Sequence, residues 1–142
     1  MEEPAIGLPV RHPTADDAEA LAVLMLDAYT GTIDFDETDT LDVARDEVRG
    51  YLGGEPMLEH SFVAMDVGIP VAAVLVSRYE GIPMIGYVMT AAAHKGRGLA
   101  TALTQLALAS LHAAGEPRAQ LWVTRGNTYA EHIYERLGFR DA

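Results

Sequence analysis

Apolar positions recur at two spacings along the chain, and the changes between them mark its elements. From Asp17 to Tyr29, Leu21, Leu24 and Met25 fall at helical spacing, with Ala18 and Ala28 extending the same side. This predicts an amphipathic helix, preceded by a short strand and a cap in "GLPVRHPTADD". The following "TGTIDFDETDT" is too polar and irregular for a core element. A second helix is predicted over about Leu41 to Leu52, closed by Gly53 and Gly54. Three strands are predicted over 61–66, 71–79 and 84–90, joined by the turns "VGIP" and "EGIP". Such short turns favour an antiparallel meander. From Gly98 to Ala114, Leu99, Leu103, Leu106 and Leu111 with interspersed alanines predict a helix, stopped by Gly115 and Pro117. A buried strand over 119–124 and a helix from Thr128 to Leu137, ending at Gly138, complete the order. The strand–helix–strand from 84 to 124 reads as a parallel crossover, which presents a helix N-terminus at a sheet edge.

No internal repeat, low-complexity block or linker interrupts this order, so residues 1–142 are expected to form a single domain. The chain has no cysteine, which excludes disulfides, thiolate metal sites and cysteine nucleophiles; no metal site is expected. The start "MEEPAIGLPV" lacks the features of a signal peptide, and the longest central apolar run, "VAAVLV", is far too short to span a bilayer. A soluble cytoplasmic protein without a membrane partner is the expectation. The net charge of −11 is unevenly placed. Residues 1–90 hold 17 acids and 4 bases, whereas residues 91–142 hold 4 acids and 6 bases. The first part should repel nucleic acid and attract small cations; the second could accept an anion.

The stretch "HKGRGLATAL" (94–103) is a glycine-rich turn running into a helix, a geometry in which backbone N–H groups hold phosphate. It is not a Walker loop, because the lysine precedes the glycines. It also fails the third position of a dinucleotide fingerprint, and the acid about twenty residues on, Glu116, lies before the next strand rather than at its end. Lys95-Gly96-Arg97-Gly98-Leu99-Ala100 instead resembles the pyrophosphate loop [R/Q]-x-x-G-x-[G/A] of the GNAT superfamily of acyl-CoA-dependent N-acyltransferases, with Lys95 in place of Arg or Gln. "NTYAEHIYERLGF" (127–139) resembles the second coenzyme motif of that family, N-x-x-A-x-x-x-Y-x-x-x-G-F. Taken singly, Asn127 reads equally as a helix cap and Tyr134 as part of the apolar stripe with Ala130, Ile133 and Leu137. Both motifs in order are more specific, and the resemblance covers about Ser61 to Phe139.

The resemblance implies an α+β fold in an α/β/α arrangement. Its sheet would be mixed, mostly antiparallel and twisted, with about six strands beside about four helices. The sequence stops at "GFRDA", with hardly room for the strand that follows G-F in the family, so a short or missing C-terminal strand is the expectation. Either the chain is trimmed, or a partner completes the sheet, or the site is open on that side, and an unpaired edge would favour a homodimer. The implied activity is N-acetyl transfer from acetyl-CoA, as cosubstrate, to a primary amine by direct attack in a ternary complex. The backbone around Gly96, Arg97, Gly98, Leu99, Ala100 and Thr101, with Lys95, would hold the coenzyme pyrophosphate. Val88, Met89 and Thr90 would meet the pantetheine amides, the Val88 N–H facing the thioester oxygen. Asn127 and Tyr134 would complete the coenzyme site, and Tyr134 would protonate the departing thiolate.

The strand 84–90 carries no carboxylate, which leaves Glu80, His60 or an acid of the 34–39 segment as candidates for the base. His60 reads equally as a surface residue before a strand. From Asp27 to Glu47 the chain has Asp27, Asp34, Asp36, Glu37, Asp39, Asp42, Asp46 and Glu47 against Arg45 alone. In the family this region walls the acceptor site, so a cationic small molecule or basic peptide is the implied acceptor. The rival reading is an acetyl-CoA-binding sensor of the same fold without turnover.

Overall fold

The computed structural model describes residues 6–30, 40–121 and 134–140. β1 (Val10–Arg11) leads through a turn at Ala15–Asp17 into α1 (Ala18–Tyr29), and α2 (Leu41–Gly53) follows. The meander β2 (Phe62–Asp66), β3 (Ile69–Tyr79) and β4 (Ile82–Thr90) comes next, then α3 (Leu99–Ala113) and β5 (Gln120–Leu121). The described residues thus hold five strands in the order β1-β2-β3-β4-β5. The first three pairings are antiparallel, while β4 and β5 run parallel through the α3 crossover. This is the α+β architecture expected from the sequence. The predicted strand over 122–124, and the helix from Thr128 as far as residue 133, lie outside the described residues.

β3 explains why the middle of the chain is so apolar. Pro70 to Val76 are all buried, because both faces of this central strand are covered. Its alternate residues divide between two cores. Ala73 and Leu75 pack with Val63 and Met89 under α1 and α2, against Leu21, Leu24, Met25 and Val48. Ala72, Val74 and Val76 pack with Ile85 under α3, against Leu99, Leu103, Ala107 and Leu111. Leu75 and Leu103 are fully buried, so truncation of either to alanine costs about 2–5 kcal/mol.

Short-range chemistry fixes the helix starts. Asp17 accepts the Thr14 backbone N–H at 2.7 Å and a two-toothed pair from Arg11 at 2.7 and 2.8 Å. The Arg11 hydrogen bonds therefore hold the Asp17 carboxyl below the usual carboxylate range. Thr40 caps α2 by accepting the Val43 N–H at 3.3 Å. One irregularity interrupts the β3–β4 ladder. In the β3–β4 ladder Leu75 faces Tyr87 but Val76 faces Ile85, so Gly86 is an extra residue that bulges β4 two positions before Val88. Among the described residues, no helix is long and apolar enough to cross a membrane.

Candidate active site

The glycine turn lies where β4 passes into α3. A single turn at Ala92–His94 leads to Lys95, and Gly96 and Gly98 then take φ of 83° and 74°. A β-carbon at either glycine would meet nothing within 4 Å, so left-handed backbone, not crowding, is what requires glycine there. α3 starts at Leu99 without a side-chain cap and with no acid in its first turn, whereas α1 and α2 carry Glu19 and Asp42 in theirs. Its first amides have no acceptor within the helix, and the positive end of its dipole faces no carboxylate of its own. Arg97 is exposed at the same place and makes no ion pair among the described residues. Leu99 is 4% exposed and belongs to the core, so it, like Gly96 and Gly98, can offer a ligand only its backbone, while Ala100 and Thr101 stay partly exposed.

Side chains hold this turn from two directions. Lys95 Nζ donates to the Ala28 carbonyl at the end of α1 at 2.7 Å. Asp27, one residue earlier on α1, accepts the Ala92 N–H through Oδ2 at 3.0 Å. On the β2 side His94 Nε2 meets Asp66 Oδ2 at 2.9 Å, while its Nδ1 is buried with no partner among the described residues. Lys95, expected among the phosphate ligands, therefore has its ammonium engaged at a helix C-terminus, where a cation is favoured.

The strand residues expected to meet the coenzyme are divided by the pleat. Val88 packs toward α3, and Met89 is 1% exposed in the α1–α2 core. Their backbones pair with Val74 and Ala73 on the β3 side, and Thr90 with Ala72. β5 pairs with β4 at Met84 and Ile85. Tyr134 lies in edge-to-face contact with Phe139, ring centroids 6.1 Å apart, and Phe139 packs against the core under α3. Burial pushes the Tyr134 phenol above its ordinary value, which keeps the proton on it. Asn127 lies outside the described residues.

The candidates for the base separate. His60 is buried, not a surface residue: its Nδ1 is 2.6 Å from Ser110 Oγ near the C-terminal end of α3. Along the helix that is about 16 Å from Leu99. The hydroxyl of Ser110 is what makes burial of the imidazole tolerable. Glu80 sits with φ of 50° in the β3–β4 turn, at the end of the hairpin opposite Thr90 and about 26 Å away along β4. The 34–39 segment lies outside the described residues.

A pair that periodicity did not single out stands closer to the bulge. Tyr87 Oη on β4 donates a short hydrogen bond to Glu47 Oε2 on α2. Burial, reinforced by this carboxylate, pushes the Tyr87 phenol well up. The two residues border a cleft of about 630 Å³ between α2 and the sheet, with Tyr51, Arg78, Met84 and Gly86 also lining it. Tyr51 bonds Ser61 Oγ at 2.9 Å and the Val76 carbonyl at 2.8 Å, and burial pushes its phenol up to about 12. Tyr87 and Glu47 are 40 positions apart, so no local signal joins them. Glu47 is one of the eight acids between Asp27 and Glu47, and a tyrosine in the mostly apolar β4 is a further hint.

The chain matches known proteins at three levels. Residues 20–139 match the acetyltransferase (GNAT) family. A stretch of 60 residues is 42% identical to mycothiol acetyltransferase from Streptomyces avermitilis, covering 42% of this chain and 20% of that protein, so the matched part spans about a fifth of the relative. PH1933 from Pyrococcus horikoshii OT3 superposes with a TM-score of 0.80 at 19% identity, over 95% of this chain and 90% of that one. A GNAT family acetyltransferase from Brucella melitensis, solved in complex with acetyl-CoA, superposes with a TM-score of 0.72 at 21% identity, over 96% and 85% of the two chains. At these identities the structural likeness is one of fold, and the family match extends over most of the chain. The chain belongs to the GNAT family of acetyltransferases.

Proposed function

We propose that this chain transfers the acetyl group of acetyl-CoA to a primary amine, a cationic small molecule or basic peptide, by direct attack in a ternary complex. The observation that carries the reading is the end of β4: two left-handed glycines open a helix whose first turn holds no acid, in a chain of this family. The amides from Gly96 to Thr101 hold the pyrophosphate, with Arg97 beside them. Lys95 serves by tying the turn to α1. The backbone of Val88, Met89 and Thr90 meets the pantetheine arm, and the Val88 N–H faces the thioester oxygen, where negative charge develops. Asn127 supports the arm.

In the reaction the amine nitrogen forms a bond to the acetyl carbon, the carbon–sulfur bond breaks, and Tyr134 gives its proton to the leaving thiolate. The nitrogen sheds a proton to water and becomes an amide. A lysine-like amine must first become neutral, at a cost of about 4–5 kcal/mol at pH 7. Orientation of the two substrates offsets part of the remaining barrier. The acids of α2 support a cationic acceptor by charge complementarity.

The test is thiol release from acetyl-CoA with a panel of cationic, neutral and anionic amines. Release that depends on a cationic amine is the expected result. Preference for neutral or anionic acceptors contradicts the acceptor class, and coenzyme binding without release for any amine would mark a sensor in place of an enzyme.

A further inference from the structure

The cleft between α2 and β4 has a charge pattern that the coenzyme turn lacks. Asp46, Glu47 and Glu55 line it, and Arg78 is the cation among its lining residues. That guanidinium is already held by Glu116 at 2.9 Å and by the Gly81 carbonyl at 2.9 Å. Glu47 uses Oε2 for Tyr87, and among the described residues its Oε1 accepts no hydrogen bond. The rings of Tyr51 and Tyr87 stand at 88° to one another beside this carboxylate, and aromatic walls suit an ammonium group. Tyr87 adjoins Val88 and Gly86 forms the bulge, so the cleft runs along β4 up to the residues assigned to the thioester.

Chemistry decides which part of an acceptor such a site can hold. The attacking amine has to be neutral, whereas a carboxylate holds a charged ammonium best. An anion beside the point of attack is therefore suited to a second group on the same molecule. We propose that Glu47 anchors the non-reacting ammonium of an acceptor carrying two amines, a diamine or longer polyamine, in the cleft between α2 and β4. This inference rests on the acetyl-transfer reading. The anchored group keeps its protons throughout, and the distal amine, free of the carboxylate, forms the new carbon–nitrogen bond. The Tyr87 hydrogen bond makes Tyr87 a positioning residue for the Glu47 carboxylate.

The experiment compares 1,4-diaminobutane with butylamine at saturating acetyl-CoA, in the wild type, Glu47→Gln, Glu47→Asp and the control Asp16→Asn, an exposed acid that does not line the cleft. Acetyl-CoA affinity is measured on each protein by calorimetry. Glu47→Gln is expected to raise KM for the diamine about three- to fivefold, with kcat, acetyl-CoA affinity and KM for butylamine unchanged. Glu47→Asp, which keeps the charge on a shorter arm, gives a smaller rise and serves as the second variant should Glu47→Gln not fold. The control changes nothing. An equal effect on both amines, no effect on either, or a wild type that binds acetyl-CoA yet acetylates neither amine overturns the assignment of Glu47. A folded wild type that binds no acetyl-CoA overturns the acetyl-transfer reading itself, and the anchor with it.

Discussion

Lys95 Nζ donates to the carbonyl oxygen of Ala28 across 2.7 Å, joining the glycine turn to the end of α1. The contact uses the only lysine in the chain, at a position where a phosphate ligand was expected. It satisfies one of the carbonyls left over at a helix end and places a cation on the negative pole of α1. With the Ala92 N–H donating in the same sense to Asp27 Oδ2, α1 and the glycine turn are tied at two points. The same helix end leads into the acidic segment assigned to the acceptor.

Lys95→Met is accordingly expected to act on stability first. Loss of one hydrogen bond at a helix end costs about 1 kcal/mol, or about 2–4 °C in Tm for a chain of this size. The salt dependence of acetyl-CoA affinity should stay as in the wild type. An unchanged Tm with a weaker salt dependence would mean that the ammonium moves to the phosphates when the coenzyme binds.

Gly98→Val, in contrast, should act on coenzyme binding. At φ of 74° a β-branched residue is strained, and the turn must rearrange where α3 begins. A loss of acetyl-CoA affinity of at least about tenfold, with the fold retained by circular dichroism, is expected. Equal affinity in calorimetry would show that the left-handed turn plays no part in holding phosphate.

Tyr134→Phe should lower turnover while leaving acetyl-CoA affinity nearly unchanged. The pH dependence follows from burial, which favours the neutral phenol and raises its pKa above the ordinary value of about 10. A donor with a raised pKa keeps its proton at neutral pH and loses it only as pH rises through the elevated value. The alkaline fall in wild-type kcat caused by this group therefore lies above about pH 10. In the variant that fall is absent and the lower rate is flat across it. A variant with wild-type turnover would assign protonation of the thiolate to water or to another group.

Asp17→Asn tests the corner between β1 and α1. The carboxylate carries the Arg11 pair and the Thr14 N–H, and its pKa is lowered chiefly by the Arg11 hydrogen bonds. A depressed pKa means that its contribution is fully present above the unfolded value of about 4 and is lost as pH falls through the lower folded value. The variant should be destabilised by about 1–2 kcal/mol at pH 7, with the gap to wild type closing below about pH 4. A gap in denaturant midpoint that persists in acid would assign the effect to packing.

The parts of the molecule legible in the sequence are those specified by neighbours along the chain. The alternation around Ala73 and Leu75, the leucines four apart on α3 and the glycines at 96 and 98 each predict an element or a turn that the structure contains, within one or two residues. The contacts that were not legible join distant segments. His60 is buried because Ser110, 50 positions away, gives its ring a partner. Lys95 faces Ala28 from 67 positions away, and Glu47 meets Tyr87 across 40. No periodicity carries such pairings, since they depend on how α1, α2 and α3 lie on the sheet. Tyr134 is placed by its contact with Phe139, whereas Asn127 of the same motif lies outside the described residues.

The most direct measurement is a calorimetric titration of the protein with acetyl-CoA, beside ATP and NAD. Selective binding of acetyl-CoA in the micromolar range, weakened at least about tenfold by Gly98→Val, is the predicted result. A demonstrably folded protein that binds none of the three, or binds ATP or NAD as well as acetyl-CoA, would contradict the assignment of the β4–α3 turn as a coenzyme A site.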